Sequence, residues 1–245
     1  MTVGVYGLGR FGTYWASLLA QKFKVVGYSR SPKPDLPEEI EPVSKEQLAQ
    51  ADAIFMCVSI SSFEAVLKDL APLLKPGVTL FDTCSVKVHP ARVMQQTLPD
   101  NVQAIASHPM FGPDSGKNGT EGLPMVMSSL TAEPGNFEHW KNIFLSYGMQ
   151  VIDMSPDEHD HQAAYTQGVT HFIGRVLQDL HLPDSRIATM GYRKLLEIIE
   201  QTCNDPLQLF YDLQSYNPYT GEMRNAVFKS FQHTLDMLEP EDETT

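Results

Sequence analysis

The sequence has few cysteines, no excess of basic residues and no long apolar run. Its three cysteines, Cys57, Cys84 and Cys203, form no CxxC pair and are odd in number. That argues against a disulfide framework or a structural zinc site, and predicts reduced thiols in a cytoplasmic protein with no bound metal. Lys and Arg number 18 against 30 Asp and Glu, a formal net charge of −12. So acidic a chain, without a basic stripe, is a poor nucleic-acid binder, and an anionic substrate would need a local cluster of Arg or Lys. No run of about 18 apolar residues occurs, so no membrane span is expected. The opening MTVGVYGLGRFG lacks the basic, apolar and small-residue segments of a secretory leader and reads as a strand entering a turn.

What is present is an alternation. TVGVYG, KVVGYS, AIFMCVSI and VTLFDTCS are strand-like, and VQAIAS and PMVMSS are shorter candidates. Between them RFGTYWASLLAQ, the Ser-capped SKEQLAQ and SSFEAVLKDLAPLL have helical spacing. Strands alternating with helices predict a parallel sheet covered on both faces. Beyond Ser155 every pattern is helical. A long helix, capped by Ser155 or Asp157, runs through HFIGRVLQDLHL, followed by YRKLLEIIEQTC, PLQLFYDLQSY and GEMRNAVFKSFQHTLDML. Val169, Phe172, Ile173, Val176 and Leu177 are expected in its core. The acidic tail EPEDETT is expected to fray.

Gly7-Leu8-Gly9-Arg10-Phe11-Gly12 is a GxGxxG that follows a strand and opens a helix. Alone it is a weak signal, but in this context it predicts dinucleotide binding. Gly7 makes the turn, Gly9 lets the backbone approach a pyrophosphate, and Gly12 permits close packing of helix on strand. The second strand ends in Gly27-Tyr28-Ser29-Arg30-Ser31, without the carboxylate that usually binds the ribose of NAD. Arg30, with Ser29 and Ser31, suits a 2′-phosphate, so NADP is the expected cofactor. The fold class read from these features is α/β. A Rossmann-type parallel-sheet domain over residues 1–153 is followed by an all-helical domain over 154–240.

In open parallel sheets, ligands gather beyond the carboxyl ends of the strands. FDTCSVK should deliver Ser85 and Lys87 there, and IASHP should deliver His108. The turn residues after His108, in HPMFGPDSGKNG, would hold it in a fixed loop, and Lys117 within them could meet a carboxylate. A serine and a histidine beside a nicotinamide suggest hydride transfer from a hydroxyl-bearing carbon, with the histidine taking the hydroxyl proton.

SVK, HPMFGPDSGKNG, EHDHQAAYTQGVTHF and TCNDPLQLFYDL together resemble the prephenate/arogenate dehydrogenases of tyrosine biosynthesis. The resemblance is greatest to the plant type and covers Gly7 to about Asn217. It implies a Rossmann domain followed by a helical dimerisation domain, and hence a homodimer. It also implies oxidation of a cyclohexadienol whose ring carboxylate leaves as carbon dioxide while the ring becomes aromatic. His108 matches the family's catalytic histidine. Ser85 matches the serine that orients this histidine and the nicotinamide. His159 and His171 match two further histidines. Gln167, His171 and Arg175, at i, i+4 and i+8, form a polar stripe read as lining the substrate cleft. The remaining histidines, 89, 139, 161, 181 and 233, are read as surface residues.

One departure stands out. Glu200 lies near the place where many prephenate dehydrogenases carry a carboxylate-binding arginine, so that role falls to Arg175, Arg193, Lys194 or Lys87. Asp205 has two readings, a partner for the ammonium of arogenate or a helix cap ahead of Pro206. Two rival functions remain. One is another two-domain Rossmann reductase of the β-hydroxyacid dehydrogenase or imine reductase class. The other is a nicotinamide-binding redox sensor without catalysis.

Overall fold

The computed structural model describes residues 1–238. EPEDETT, its expected fraying and the expected domain end at 240 lie outside the described residues. The chain forms two compact units, Met1–His159 and Asp160 onward.

The first unit is an eight-stranded sheet: β1 Thr2–Tyr6, β2 Lys24–Tyr28, β3 Ile40–Pro42, β4 Ala53–Met56, β5 Thr79–Asp82, β6 Gln103–Pro109, β7 Pro124–Ser129 and β8 Gln150–Asp153. Its order is β3-β2-β1-β4-β5-β6-β7-β8. Every neighbouring pair is parallel except β6–β7. The sequence pattern did not mark β3 or β8, which are short strands at the two sheet edges. β1 sits between β2 and β4, so the winding reverses there and opens a crevice at the carboxyl edge.

The helices of this unit are α1 Arg10–Ala20, α2 Lys45–Leu48, α3 Ile60–Leu70, α4 Val88–Thr97 and α5 Pro134–Leu145. Ser44 caps α2 in a capping box closed by Gln47. α3 buries Ile60, Phe63, Leu67 and Leu70, one stripe at helical spacing. Between helices and sheet, Trp15, Phe55, Phe81, Trp140 and Phe144 are each at most 1% exposed. Phe55 and Phe81 are register partners on β4 and β5 and stack with centroids 4.4 Å apart. Each such ring stabilises the fold by about 1.5–3 kcal/mol through burial alone. This core fixes the sheet whose carboxyl edge carries the candidate site.

The second unit is helical. α6, Pro156–Ala163, straddles the division between units. Ser155 caps it, its hydroxyl accepting from the Glu158 N–H at 3.2 Å. The single long helix expected from the sequence is interrupted. Ala164–Gly168 form a π-helical turn before α7, Val169–Asp179, resumes. α8 Met190–Cys203, α9 Leu207–Tyr216 and α10 Thr220–Asp236 complete the unit. Carbonyls one turn before the widened turn and at its end find side-chain donors. Asn217 Nδ2 donates to the Asp160 carbonyl at 2.8 Å, and Gln214 Nε2 to that of Gly168 at 2.9 Å. Gly174 lets α7 approach α8, because a Cβ there would stand 2.0 Å from the Thr202 hydroxyl oxygen.

The apolar side of α7 is less covered than its periodicity suggests. Val169, Phe172, Ile173 and Leu177 are half-buried and Val176 is exposed. The helices of this unit leave that side open rather than closing a core around it. No helix among the described residues is long and apolar enough to cross a membrane.

Candidate active site

The glycine loop has the conformation its spacing requires. Gly7 has φ +102°, and a Cβ there would stand 2.3 Å from the Cys57 carbonyl oxygen. A Cβ on Gly12 would stand 1.8 Å from the Gly7 oxygen. Gly9 is the opposite case, with nothing within 4 Å of the Cβ position. It heads α1, which has no side-chain cap. The first turn of the helix therefore borders open space at a bare backbone, the cradle a dinucleotide pyrophosphate needs. Leu8 is buried beneath it and Phe11 half-buried, stacked 5.8 Å from Trp15.

The GPDSGKNG tail lies against this loop. Arg10 Nη2 donates to Asp114 at 2.5 Å, and the Tyr14 hydroxyl donates to the Gly116 carbonyl at 3.3 Å. Lys117 is exposed. At the exit of β2, Ser29 is half-buried while Arg30 and Ser31 are exposed. Arg30 makes no ion pair among the described residues, so its charge is available to an anionic ligand.

The exits of β5 and β6 hold the most constrained chemistry. His108 stands near the end of β6, the strand that IASHP was read to end, its backbone registered against Val126 of β7. The sheet, not the glycines and prolines that follow, holds it. The side chain is 3% exposed. Its Nδ1 lies 2.8 Å from Nε2 of His159, and its Nε2 makes no hydrogen bond among the described residues. Burial, then His159, then the charge of Lys87 hold the imidazole well below its ordinary value, so it is neutral at neutral pH.

Beneath this histidine is a buried ion pair. Lys87, read as a candidate substrate ligand, is 1% exposed, and its ammonium donates to Asp82 and to the Ser107 carbonyl. That reading is corrected: the charge is committed inside the fold. Asp82 accepts from the Cys84 N–H at 3.0 Å and the Ser107 N–H at 3.2 Å, while its own carbonyl accepts from the Ser107 hydroxyl at 2.5 Å. Burial raises the Asp82 carboxyl above its ordinary range, and Lys87 and the two backbone donors oppose that rise. The network ties the end of β5 to the residue before His108, and the segment carrying Ser85 hangs between Cys84 and Lys87. Asp82 was legible as a carboxylate in an apolar strand, which must be paired.

Ser85 is half-buried. Its hydroxyl makes no hydrogen bond among the described residues, so the partner of His108 is His159 rather than the serine. His159, read from the sequence as a substrate ligand, is 2% exposed and bonded to His108.

In the helical unit the polar stripe is built as spaced, and three of its atoms are unsatisfied. Gln167 Oε1, His171 Nδ1 and Arg175 Nε are buried without a hydrogen-bond partner. Three such atoms on one helical stripe could each meet a polar group of a ligand. Burial lowers the His171 imidazole below its ordinary value, with Asp205 opposing and Arg175 reinforcing the shift. Arg175 is partly occupied already. Its Nη2 donates to the carbonyls of Asp205 at 3.2 Å and Thr202 at 3.5 Å, and the guanidinium lies 5.6 Å from the Phe210 centroid. Pro206, not Asp205, stands at the start of α9, and no side chain caps that helix. Arg193 and Lys194 are exposed. Among the described residues no cluster of His, Cys, Asp and Glu could hold a metal ion.

Comparison with known proteins gives one consistent picture. The family described as the nucleotide-binding domain of prephenate dehydrogenase matches residues 25–152, and a TYRAAT1-like C-terminal domain family matches residues 176–245. Arogenate dehydrogenase 1, chloroplastic, of Arabidopsis thaliana is 33% identical over 97% of this chain and 39% of its own length. Arogenate dehydrogenase 2, chloroplastic, of the same plant is 33% identical over 95% of this chain and 68% of its own. The chain thus spans well under half of the first relative and about two thirds of the second. Among solved structures, prephenate dehydrogenase from A. aeolicus in complex with hydroxyphenyl propionate and NAD+ superposes with a TM-score of 0.78 at 20% identity, covering 97% of this chain and 90% of that one. That likeness is one of fold.

Proposed function

The chain belongs to the prephenate dehydrogenase family, and we propose that it catalyses the NADP-dependent oxidative decarboxylation of arogenate or prephenate, yielding tyrosine or 4-hydroxyphenylpyruvate. The observation that carries this reading is His108. It is a buried, neutral imidazole fixed in a strand at the carboxyl edge of the sheet, with Nδ1 engaged and Nε2 open.

The residues divide the work as follows. Gly7, Leu8, Gly9, Arg10, Phe11 and Gly12 hold the dinucleotide backbone, whose nicotinamide supplies the hydride acceptor. Arg30, exposed and without an ion pair, binds the 2′-phosphate, with Ser29 and Ser31 as donors. His108 Nε2 takes the proton of the ring hydroxyl as the carbinol C–H bond breaks. The ring carboxylate then leaves as carbon dioxide, and aromatisation makes the reaction one-way. The unpartnered Ser85 hydroxyl orients the reacting groups. His171, Gln167 and Arg175 bind the polar parts of the substrate through the atoms they now leave unsatisfied. Of the basic residues considered for the ring carboxylate, Arg175 is favoured, because it alone combines partial burial with an unpaired N–H. Asp205 is kept as the partner for the ammonium of arogenate, the slightly preferred substrate.

A homodimer through the helical unit fits the apolar groove of Tyr165, Val169, Ile173, Met223, Val227 and Phe231, beside the exposed Phe228 and Leu235. The absence of a disulfide at Cys57, Cys84 and Cys203 among the described residues supports a reducing, cytoplasmic setting.

The test is a substrate panel. Arogenate and prephenate are each assayed with NADP and with NAD, and release of carbon dioxide is followed alongside absorbance of the reduced cofactor. Turnover of one substrate with preference for NADP is expected. Inertness of both with either cofactor would refute the reading, and activity on a β-hydroxyacid or an imine would replace it.

A further inference from the structure

We propose that His159 is a positioning residue that sets the tautomer of His108, its Nε2 accepting a hydrogen bond from the His108 Nδ1–H. The proposal deepens the catalytic reading above and rests on it. The argument begins with the geometry of the pair. His108 Nδ1 and His159 Nε2 are 2.8 Å apart, with ring centroids 5.0 Å apart and planes inclined by 65°. A contact of that length between two imidazole nitrogens requires one proton between them, so one ring donates and the other accepts.

A neutral imidazole carries a single ring proton. Were His159 the donor, His108 would carry its proton on Nε2, the open nitrogen, and could not take another there. With His159 as acceptor the proton of His108 sits on Nδ1 and the Nε2 lone pair faces outward. Only this second arrangement makes His108 a base toward a ligand. It also fixes His159 as the tautomer protonated on Nδ1.

Position and burial agree with this role. His159 is 2% exposed and is held in the first turn of α6, its N–H bonded to the Ser155 carbonyl at 3.0 Å. His108 cannot shift its backbone to seek another partner, because β6 pairs with β7 on either side of it. The imidazole therefore does what a buried carboxylate does behind other catalytic histidines, aligning the ring and choosing the nitrogen that reacts. It does so without a formal negative charge. When the ring hydroxyl proton reaches Nε2, His108 becomes an imidazolium, and its Nδ1–H bond to the neutral acceptor becomes charge-assisted.

The experiment has two arms on the full chain. In the first, 15N–1H correlation spectra of the wild-type protein at neutral pH report which ring nitrogen of His108 carries the proton, its signals being identified by their loss in His108→Asn. Protonation on Nδ1 is expected, and protonation on Nε2 overturns the proposal. In the second, His159→Phe and His159→Gln are compared with wild type under saturating substrate. His159→Phe should lower kcat about a hundredfold or more with unchanged cofactor affinity, while His159→Gln, which offers a carbonyl acceptor, keeps kcat within about tenfold of wild type. Wild-type kcat in His159→Phe, or equal loss in both variants, overturns it. If His159→Phe does not fold, the spectra decide. If wild-type protein turns over neither substrate, the functional reading fails while the spectra still test the histidine pair.

Discussion

The sheet unit and the helical unit solve opposite problems. Of the buried apolar residues among those described, 43 belong to the sheet unit and 4, namely Ala163, Ala164, Leu213 and Met223, to the helical one. Of the 15 exposed large apolar side chains among the described residues, all but Met1 and Leu145 belong to the helical unit. The first unit closes its own core and uses it to hold a buried ion pair and a buried histidine pair at fixed geometry. The second closes little and leaves both an apolar face and a row of unsatisfied polar atoms. Rigid geometry is concentrated in the first unit, and open apolar surface in the second.

That contrast can be broken or sharpened by experiment. The largest effect is expected at the best-packed reactive group. His108→Asn should reduce kcat by roughly a thousandfold or more while cofactor affinity, measured by fluorescence titration, stays put. Lys87→Met strands the Asp82 carboxylate, and urea unfolding should show a loss of about 3–5 kcal/mol. Full stability in that variant would mean the pair does not hold the strand exits together. Phe231→Asp in the apolar groove should weaken self-association by about 2–4 kcal/mol, read as a shift to monomer in sedimentation at micromolar concentration. A wild-type protein already monomeric would end the dimer proposal.

Smaller effects follow. Arg30→Ala should raise the KM for NADP about 10- to 100-fold and leave that for NAD nearly unchanged. Proton linkage is the mildest probe. His108 and His171 are both held below the ordinary imidazole value, one in each unit. The unfolded chain takes up protons from about pH 6.5 downward, before the folded one does. Their contribution to stability is thus complete above that pH and is lost as pH falls toward the folded-state values. Urea midpoints between about pH 7.5 and 5.5 should fall. The fall should be reduced by His108→Asn and, separately, by His171→Asn.

The parts of this arrangement legible in the sequence are those with a local chemical grammar. Gly7, Gly9 and Gly12 were readable because each glycine answers a separate steric demand at fixed spacing. The place of Arg30 just beyond β2 was readable because KVVGYS has the pattern of a strand. Gln167, His171 and Arg175 share a face because every fourth residue does. What was not legible depends on partners brought together by folding. His108 and His159 are 51 residues apart, and nothing in either segment announces their bond. Lys87 looked like a ligand because nothing in its segment shows that β6 will close over its ammonium with the Ser107 carbonyl. The edge strands β3 and β8 are too short for a period to show, and the open side of α7 has the same pattern as a buried one.

The π-helical turn at Ala164–Gly168 sets a phase. Its extra residue offsets all of α7 by about 100° relative to Asp160–Ala163, as compared with an uninterrupted helix. Deleting one residue from this turn would change the composition of the unit by a single position. It would nevertheless rotate Gly174 away from Thr202 and carry the Gln167–His171–Arg175 row to another side of the helix. The chain therefore encodes the direction of this polar row in a count of residues rather than in their identity. An aligned family member lacking that one position would be expected to present different residues on this side of the helix.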